Sequence, residues 1–247
     1  MNILTLKIGK KYSAKYVNNL YEGLIRNTTK SFNFYCYTDD TKNLNKNIIT
    51  VPIANTEKYK LQWHKLDFHN NGFANIESGE TCLILDIDWI IINNINEIIN
   101  HKLLDNQFGC FERWWSNKRN YCKINGGFQM YNMGDTQHLY DTFNIKPDYW
   151  QEYFINNGEA EGPVNGEQNF IDMHVSDNRY WFPMKWFAKY SLDEYRKIQS
   201  NWHNEVNNED PYYIDNQFSE SIKMIHFSNS NNMIENYKDS WIKKYWI

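Results

Sequence analysis

Residues 81–95, TCLILDIDWIIINNI, form the longest apolar run in the chain, and two carboxylates, Asp86 and Asp88, interrupt it. Such a run is rich in isoleucine and too short to span a bilayer, so it suits a strand covered on both faces in the middle of a sheet. A carboxylate left unpaired inside it is strongly unfavourable, and each acid therefore needs a cation, a basic side chain or the open end of the strand. Residues two apart along a strand point to the same side, which lets Asp86 and Asp88 converge on one point. Carboxylate oxygens gathered there suit Mg2+ or Mn2+.

The flanking segments say what kind of sheet this strand joins. NILTLKI reads as a strand and Gly9-Lys10-Lys11 as a turn, followed by a helix with Tyr16, Val17, Leu20, Leu24 and Ile25 on one face. SFNFYCYTDD and NIITVPI read as further strands, as do GGFQMYN and SIKMIHF. Residues 59–70 have a helical spacing through Leu61, Trp63, Leu66 and Phe68, and helices are also predicted around 135–143, 167–174 and 191–199. Strands alternating with helices imply an α/β fold with a mostly parallel central sheet flanked by helices, and the 247 residues fit a single domain over 1–247. In open sheets of this class, ligands bind outside the carboxyl ends of the strands.

Charge and composition exclude several partners. A formal net charge of -4 offers no basic face for nucleic acid or an anionic membrane. No segment reaches the length of a membrane helix and none reads as a signal peptide, so the expectation is a cytoplasmic protein without a membrane span. Cys36, Cys82, Cys110 and Cys122 lack metal-ligand spacing and read as reduced thiols. The aromatic content is 17%, which favours carbohydrate, because aromatic faces stack on the apolar faces of sugars.

Taken in order, these segments resemble the glycosyltransferase family 8-like proteins, the group of glycogenin and the bacterial galactosyl- and glucosyltransferases. Their GT-A fold, a Rossmann-like nucleotide-diphospho-sugar transferase fold, carries Asp-x-Asp after a hydrophobic strand. TLKIGKKY is similar to the family's first strand and nucleotide-contacting turn, which implies Leu6, Ile8 and Tyr12 at the nucleoside, with Tyr12 stacked on the base. Lys65, in LQWHKLDF, matches a lysine that contacts the donor. Asp86, Ile87 and Asp88 match the donor-binding acid segment, and INGGFQMYN resembles an Asn-Ser-Gly segment that implies Asn125 and Gly126 at the donor sugar. NGEQNFI resembles a Gly-Asp-Gln segment, implying Glu167 and Gln168 as catalytic residues, and KMIHFSN makes His226 a third metal ligand with Asp86 and Asp88. The chain departs from the family where Asn229 and Asn232 replace Gly and a diphosphate-binding Lys, and where Val164 replaces an acid. Lys223 or Lys238 is the candidate to substitute for that Lys.

The resemblance implies a Mn2+- or Mg2+-dependent enzyme that transfers a hexose, with retention, from a nucleotide-diphosphate sugar such as a UDP-sugar to a hydroxyl of a glycan, protein or small molecule. Trp114 and Trp115 within FERWWSNKRNY, and Phe187, Tyr190 and Trp202, are candidate acceptor walls. Each site residue also has a plain reading when taken singly: His226 as a core histidine, Lys65 as a solvated helix residue, Gly126-Gly127 as a bulge or turn, and Glu167-Gln168 as an exposed helix start. Two other functions stay open. One is a sugar-binding protein with a decayed transferase site; the other is a metal-dependent nucleotide-sugar hydrolase that releases nucleoside monophosphate.

Overall fold

The computed structural model describes residues 1–113, 122–157, 166–190, 198–199, 213–214, 217–218, 221–227, 233–236 and 240–247. Its elements begin with β1 (Asn2–Lys7), α1 (Ala14–Asn27), β2 (Asn33–Thr38), β3 (Ile49–Pro52), β4 (Thr81–Leu85), β5 (Trp89–Ile91) and the single turn α2 (Asn96–Ile99). There follow β6 (Phe108–Cys110), β7 (Phe128–Asn132), α3 (Gln137–Ile145), α4 (Pro147–Asn156), α5 (Glu167–His174), β8 (Arg179–Trp181) and β9 (Phe187–Tyr190). The short strands β10 (Ile198–Gln199), β11 (Tyr213–Ile214) and β12 (Gln217–Phe218) precede β13 (Met224–Phe227) and the last helix, α6 (Ser240–Tyr245). Two compact units emerge: Met1–Ser13, Phe32–Asp86 and Lys102–Phe182 in the first, and Ala14–Ser31, Ile87–His101 and Pro183–Ile247 in the second.

The first unit is built on a seven-stranded sheet in the order β3-β2-β1-β4-β7-β6-β8. Pairing is parallel from β3 through β4 and again between β6 and β8, and antiparallel on both sides of β7. The sheet is therefore mostly parallel, with β4 at its centre, as the apolar run predicts. Leu4, Cys82, Ile84 and Tyr131 from the sheet share a core with Trp63, Leu66 and Phe68, with Phe143 and Phe154 of α3 and α4, and with Phe170 of α5. All four cysteines are free and buried, and desolvation pushes each thiol up to about 12, which leaves them unreactive.

Two expectations need correction here. The run 81–95 does not continue as one strand: β4 ends at Leu85, the chain turns through Asp86–Ile87–Asp88, and β5 joins a different sheet. Two carboxylates cannot continue a strand that is covered on both faces, so the ladder closes with a final bond from Asp86 N to Gly127 O at 3.0 Å. Residues 61–69 wind as 3-10 turns instead of an α-helix. Every residue from Trp63 to His69 is buried, so no polar face exists to sustain an amphipathic helix, and Leu61, expected in the apolar stripe, is exposed with a positive φ.

The second unit has its own four-stranded sheet, β10-β9-β13-β5. Helix α1 buries Tyr16, Val17, Leu20, Tyr21 and Leu24, and Gly23 allows it to approach Ile91 closely: a Cβ there would lie 3.4 Å from that side chain. Ile25, expected on the buried face, is 44% exposed, because the face centres on the 16/17/20/21/24 stripe and Tyr21 takes the place assigned to Ile25. The C-terminus is tied to the same helix. Asn19 donates to Trp246 O at 3.1 Å, and Arg26 donates to Tyr245 O and Ile247 O, both at 2.8 Å. The predicted helix over 191–199 falls largely outside the described residues, and its last two positions form β10. Among the described residues, no helix is long and apolar enough to cross a membrane.

Trp63 carries the first-unit core at its contact with α3: its ring is fully buried and stacks on Phe143 with centroids 5.2 Å apart. Replacing it with Ala should cost about 3–5 kcal/mol of unfolding free energy. A shift in the midpoint of urea denaturation measures this, and an unchanged midpoint would contradict the packing described.

Candidate active site

At the C-terminal end of β4 the first unit gathers one cation, two carboxylates and several backbone groups. Lys65 comes from the 3-10 turns over residues 61–69, and it is only 3% exposed. Its ammonium lies 2.8 Å from Asp86 Oδ1 and 3.6 Å from Glu167 Oε2, and it donates to Gly126 O at 3.3 Å. Lys65 is thus not a solvated surface lysine. A lone buried ammonium would be strongly disfavoured, and these acceptors compensate it.

Glu167 is the first residue of α5, and the preceding Gly166 adopts a φ of 113°, which only glycine takes easily. A Cβ on Gly166 would also come within 3.2 Å of the Trp63 ring. The turn therefore delivers Glu167 into the interior, where it is 4% exposed, and the reading of Glu167 as an exposed helix start does not hold. Burial raises its carboxyl to about 7 from the ordinary 4.5, with Lys65 pulling it down, Asp86 pushing it up, and hydrogen bonds from Gln129 and Lys65 pulling it down again. Desolvation wins over one lysine shared between two acids.

The Asn125-Gly126-Gly127 turn leads into β7 and closes the other side of the cluster. Gly127 N donates to Asn125 Oδ1 at 2.8 Å, and Gly126 N donates to Gln168 Oε1 at 3.2 Å. Both glycines stand where a side chain has no room: a Cβ on Gly126 would be 2.6 Å from Gln168 Cβ, and one on Gly127 would be 2.6 Å from Asp86 Oδ2. The pair is thus a close-approach site and more than a turn. Lys65, Asp86, Asn125, Gly126, Glu167 and Gln168, chosen from the sequence across a hundred residues, meet in one place. Leu6 and Ile8 lie at the end of β1, the strand beside β4, and Tyr12 follows after a turn anchored by Gly9 N donating to Asp39 Oδ2 at 3.0 Å. All three are half-buried.

Within the second unit, the antiparallel pairing of β5 with β13 sets His226 opposite Trp89, and their rings stack with centroids 4.6 Å apart. Phe227 N donates to Asp88 O at 3.0 Å, and His226 Nε2 lies 3.2 Å from Asp88 Oδ1. That oxygen is buried and accepts no regular hydrogen bond among the described residues. Ile87, between the two acids, is buried. Two candidate roles are corrected here. Phe187 and Tyr190 are core residues, Tyr190 stacking on Phe227 at 4.8 Å, and are not an acceptor wall. Lys223 is committed to Glu97 at 2.5 Å and to Asn94 O at 2.8 Å, so it is no free phosphate ligand. Trp114, Trp115, Val164, Trp202, Asn229, Asn232 and Lys238 lie outside the described residues.

The sequence reading missed Gln129. It donates to Gly126 O at 2.8 Å and to Glu167 Oε1 at 3.4 Å, and it is fully buried. The available signal was a glutamine between Phe128 and Met130 in an otherwise apolar strand.

No family model and no curated protein matches the chain. Solved structures do. The chain is similar to the galactosyltransferase LgtC in complex with donor and acceptor sugar analogues, with 13% identity and a TM-score of 0.61 over 93% of this chain and 87% of that one. It is equally similar to an active-site Gln-to-Glu mutant of LgtC, with 13% identity and a TM-score of 0.61 over 93% and 88%. A weaker likeness, 13% identity and a TM-score of 0.53, relates it to the glycosyltransferase GlyE of Streptococcus pneumoniae TIGR4 over 75% of this chain and 46% of that one. The fold is the GT-A fold of these proteins.

Glu167 has a pH signature. Its folded value, about 7, lies above 4.5, so the folded state binds the extra proton between these values and stability falls as pH rises from about 4.5 to about 7. The stability difference between wild type and Glu167→Gln, measured by denaturation across this window, should change in that direction. A difference independent of pH would show that Glu167 keeps an ordinary value.

Proposed function

We propose that the chain is a glycosyltransferase that moves a hexose from a nucleotide-diphosphate sugar, a UDP-sugar, to a hydroxyl acceptor with retention of configuration, using Mn2+ or Mg2+. The observation that carries this reading is the cluster of Lys65, Asp86, Gly126 and Glu167 at the carboxyl end of the central strand, in a fold shared with a protein crystallised with donor and acceptor sugar analogues. Asp86, Asp88 and His226 supply two carboxylates and an imidazole, a donor set suited to either cation. The fit is supported by Asp88 Oδ1, a buried carboxylate oxygen that accepts no regular hydrogen bond among the described residues. When bound, the cation offsets charge on the departing diphosphate.

The remaining roles belong to the chain's own side chains. Tyr12, Leu6 and Ile8 hold the nucleoside. Lys65 fixes the orientation of Asp86 and offers positive charge beside the donor. Asn125 and the Gly126 backbone bond the sugar hydroxyls, the glycine admitting the ring at close range. A glutamine is an active-site residue in LgtC, which supports Gln168 beside the anomeric carbon. There the acceptor hydroxyl oxygen forms its bond to carbon as the bond to the diphosphate oxygen breaks; the electron pair departs with the nucleoside diphosphate, whose freed oxygen takes the hydroxyl proton. Glu167, with a value near 7, is partly ionised at neutral pH and stands ready to stabilise positive charge on the sugar.

The test is a panel of nucleotide sugars with Mn2+, read by thermal shift and by nucleoside diphosphate release. A UDP-sugar should raise the melting temperature in a metal-dependent way and yield the diphosphate when an acceptor is present. Release of monophosphate would point to a hydrolase, and a shift without turnover for any acceptor would point to a sugar-binding protein. Asp88→Asn should abolish the metal-dependent shift; a shift that survives the substitution unchanged removes Asp88 from the site.

A further inference from the structure

Helix α5 carries a third polar residue on the side that bears Gln168. Asp172 follows Gln168 by four positions, so the two side chains leave one face of the helix about 6 Å apart along its axis. The segment that contains Asn125 and Gly126 runs along this face and is bonded to it twice. Gly126 N donates to Gln168 Oε1 at 3.2 Å, and Lys123 N donates to Asp172 Oδ2 at 2.7 Å. Asn125, buried, lies between the two bonds in sequence. The bond at Asp172 is the stronger, because a carboxylate accepts roughly twice as strongly as a neutral amide oxygen.

Asp172 is itself held in place. Arg179 donates from Nη1 to the other carboxylate oxygen, Oδ1, from Nη2 to Asp172 O at 2.8 Å, and from Nε to Ser176 O at 3.3 Å. Asp172 O belongs to the last turn of α5, whose carbonyls lack partners within the helix, and a cation there also suits the helix dipole. Both side chains are largely buried, so solvent and salt screen the pair little. Arg179 is fixed in turn by β8, where it pairs with Phe108 of β6. On its other side Lys123 O accepts from Arg113 N at 2.7 Å. Gly126 stands so near Gln168 that an added Cβ would be 2.6 Å from the Gln168 Cβ. Contact therefore stops the segment from moving towards α5, and the bond to Asp172 stops it from moving away.

We propose that Asp172, fixed by Arg179, is a positioning residue for the donor sugar: through the Lys123 amide it holds the Asn125-Gly126 segment against the Gln168 side of α5. Its influence falls on the sugar half of the donor, since the nucleoside residues Leu6, Ile8 and Tyr12 lie on β1 and the turn after it. This role rests on the reading of Asn125, Gly126 and Gln168 as donor-sugar residues, but the tie itself is measurable in unliganded protein.

The test uses Asp172→Asn, which keeps the shape of the side chain but leaves one oxygen to serve both Arg179 and Lys123 N. Amide hydrogen exchange, followed by 15N NMR on unliganded protein, should find Lys123 and Gly126 protected in the wild type and exchanging about tenfold faster in the variant. Calorimetric titration with Mn2+ present should then show the UDP-sugar chosen by the thermal-shift panel binding about tenfold more weakly, with UDP itself unchanged. A merely structural role would weaken both ligands alike. Arg179→Lys keeps a cation beside Asp172 but loses the guanidinium fork, and it should give the same split, smaller in size, even if Asp172→Asn fails to fold. Rapid exchange of the Lys123 amide in the wild type, a Gly126 amide indifferent to Asp172→Asn, or equal weakening of UDP and UDP-sugar overturns the proposal. If the wild type binds no nucleotide sugar, the transferase reading fails, while the exchange result still decides whether Asp172 holds the segment.

Discussion

The ammonium of Lys65, held between Asp86 and Glu167 and bonded to Gly126 O, is the interaction on which the site depends. It joins three parts of the first unit that are distant in sequence: the 3-10 turns, the end of β4 and the start of α5. Two carboxylates would repel each other so near the buried end of the sheet, and a single cation between them makes the arrangement tolerable. The compensation is incomplete, because one lysine shared by two acids does not outweigh desolvation, and Glu167 is left at about 7. That residual imbalance gives the site a carboxyl that titrates near neutrality.

Space is the second constraint. Gly126 and Gly127 stand against Gln168 and Asp86 so closely that no side chain fits at either position. Backbone therefore faces the acids directly, and polar backbone groups, with the Asn125 and Gln168 side chains, line this part of the unit. Gly166 serves the same cluster from the other side by turning the chain so that α5 begins with a buried glutamate.

Much of this could be read in advance, for identifiable reasons. The acid pair stood out because two charges in an apolar run are costly, and the same cost ends β4 at Leu85. The α5 boundaries and the strands around Phe34, Met130 and Ile225 were legible because their apolar periodicities are local. Residues 61–69 misled because Leu61, Trp63, Leu66 and Phe68 only approximate a helical stripe, and the seven buried residues from Trp63 onward draw their stability from neighbours remote in sequence. Phe187 and Tyr190 misled because an aromatic residue reads alike in a core and in a sugar-binding wall.

By itself, the sequence determined the α/β class, the central strand and the identity of the charged and glycine residues at its end, since apolar period and the cost of buried charge are properties of short segments. Only the tertiary structure decided that Lys65 is shared by Asp86 and Glu167, that Glu167 is buried and its carboxyl raised, and that Lys223 is spent on Glu97. It also brought Gln129 to the site's inner side. Desolvation and pairing depend on what surrounds a group in space, and the groups concerned lie between 21 and 126 residues apart along the chain.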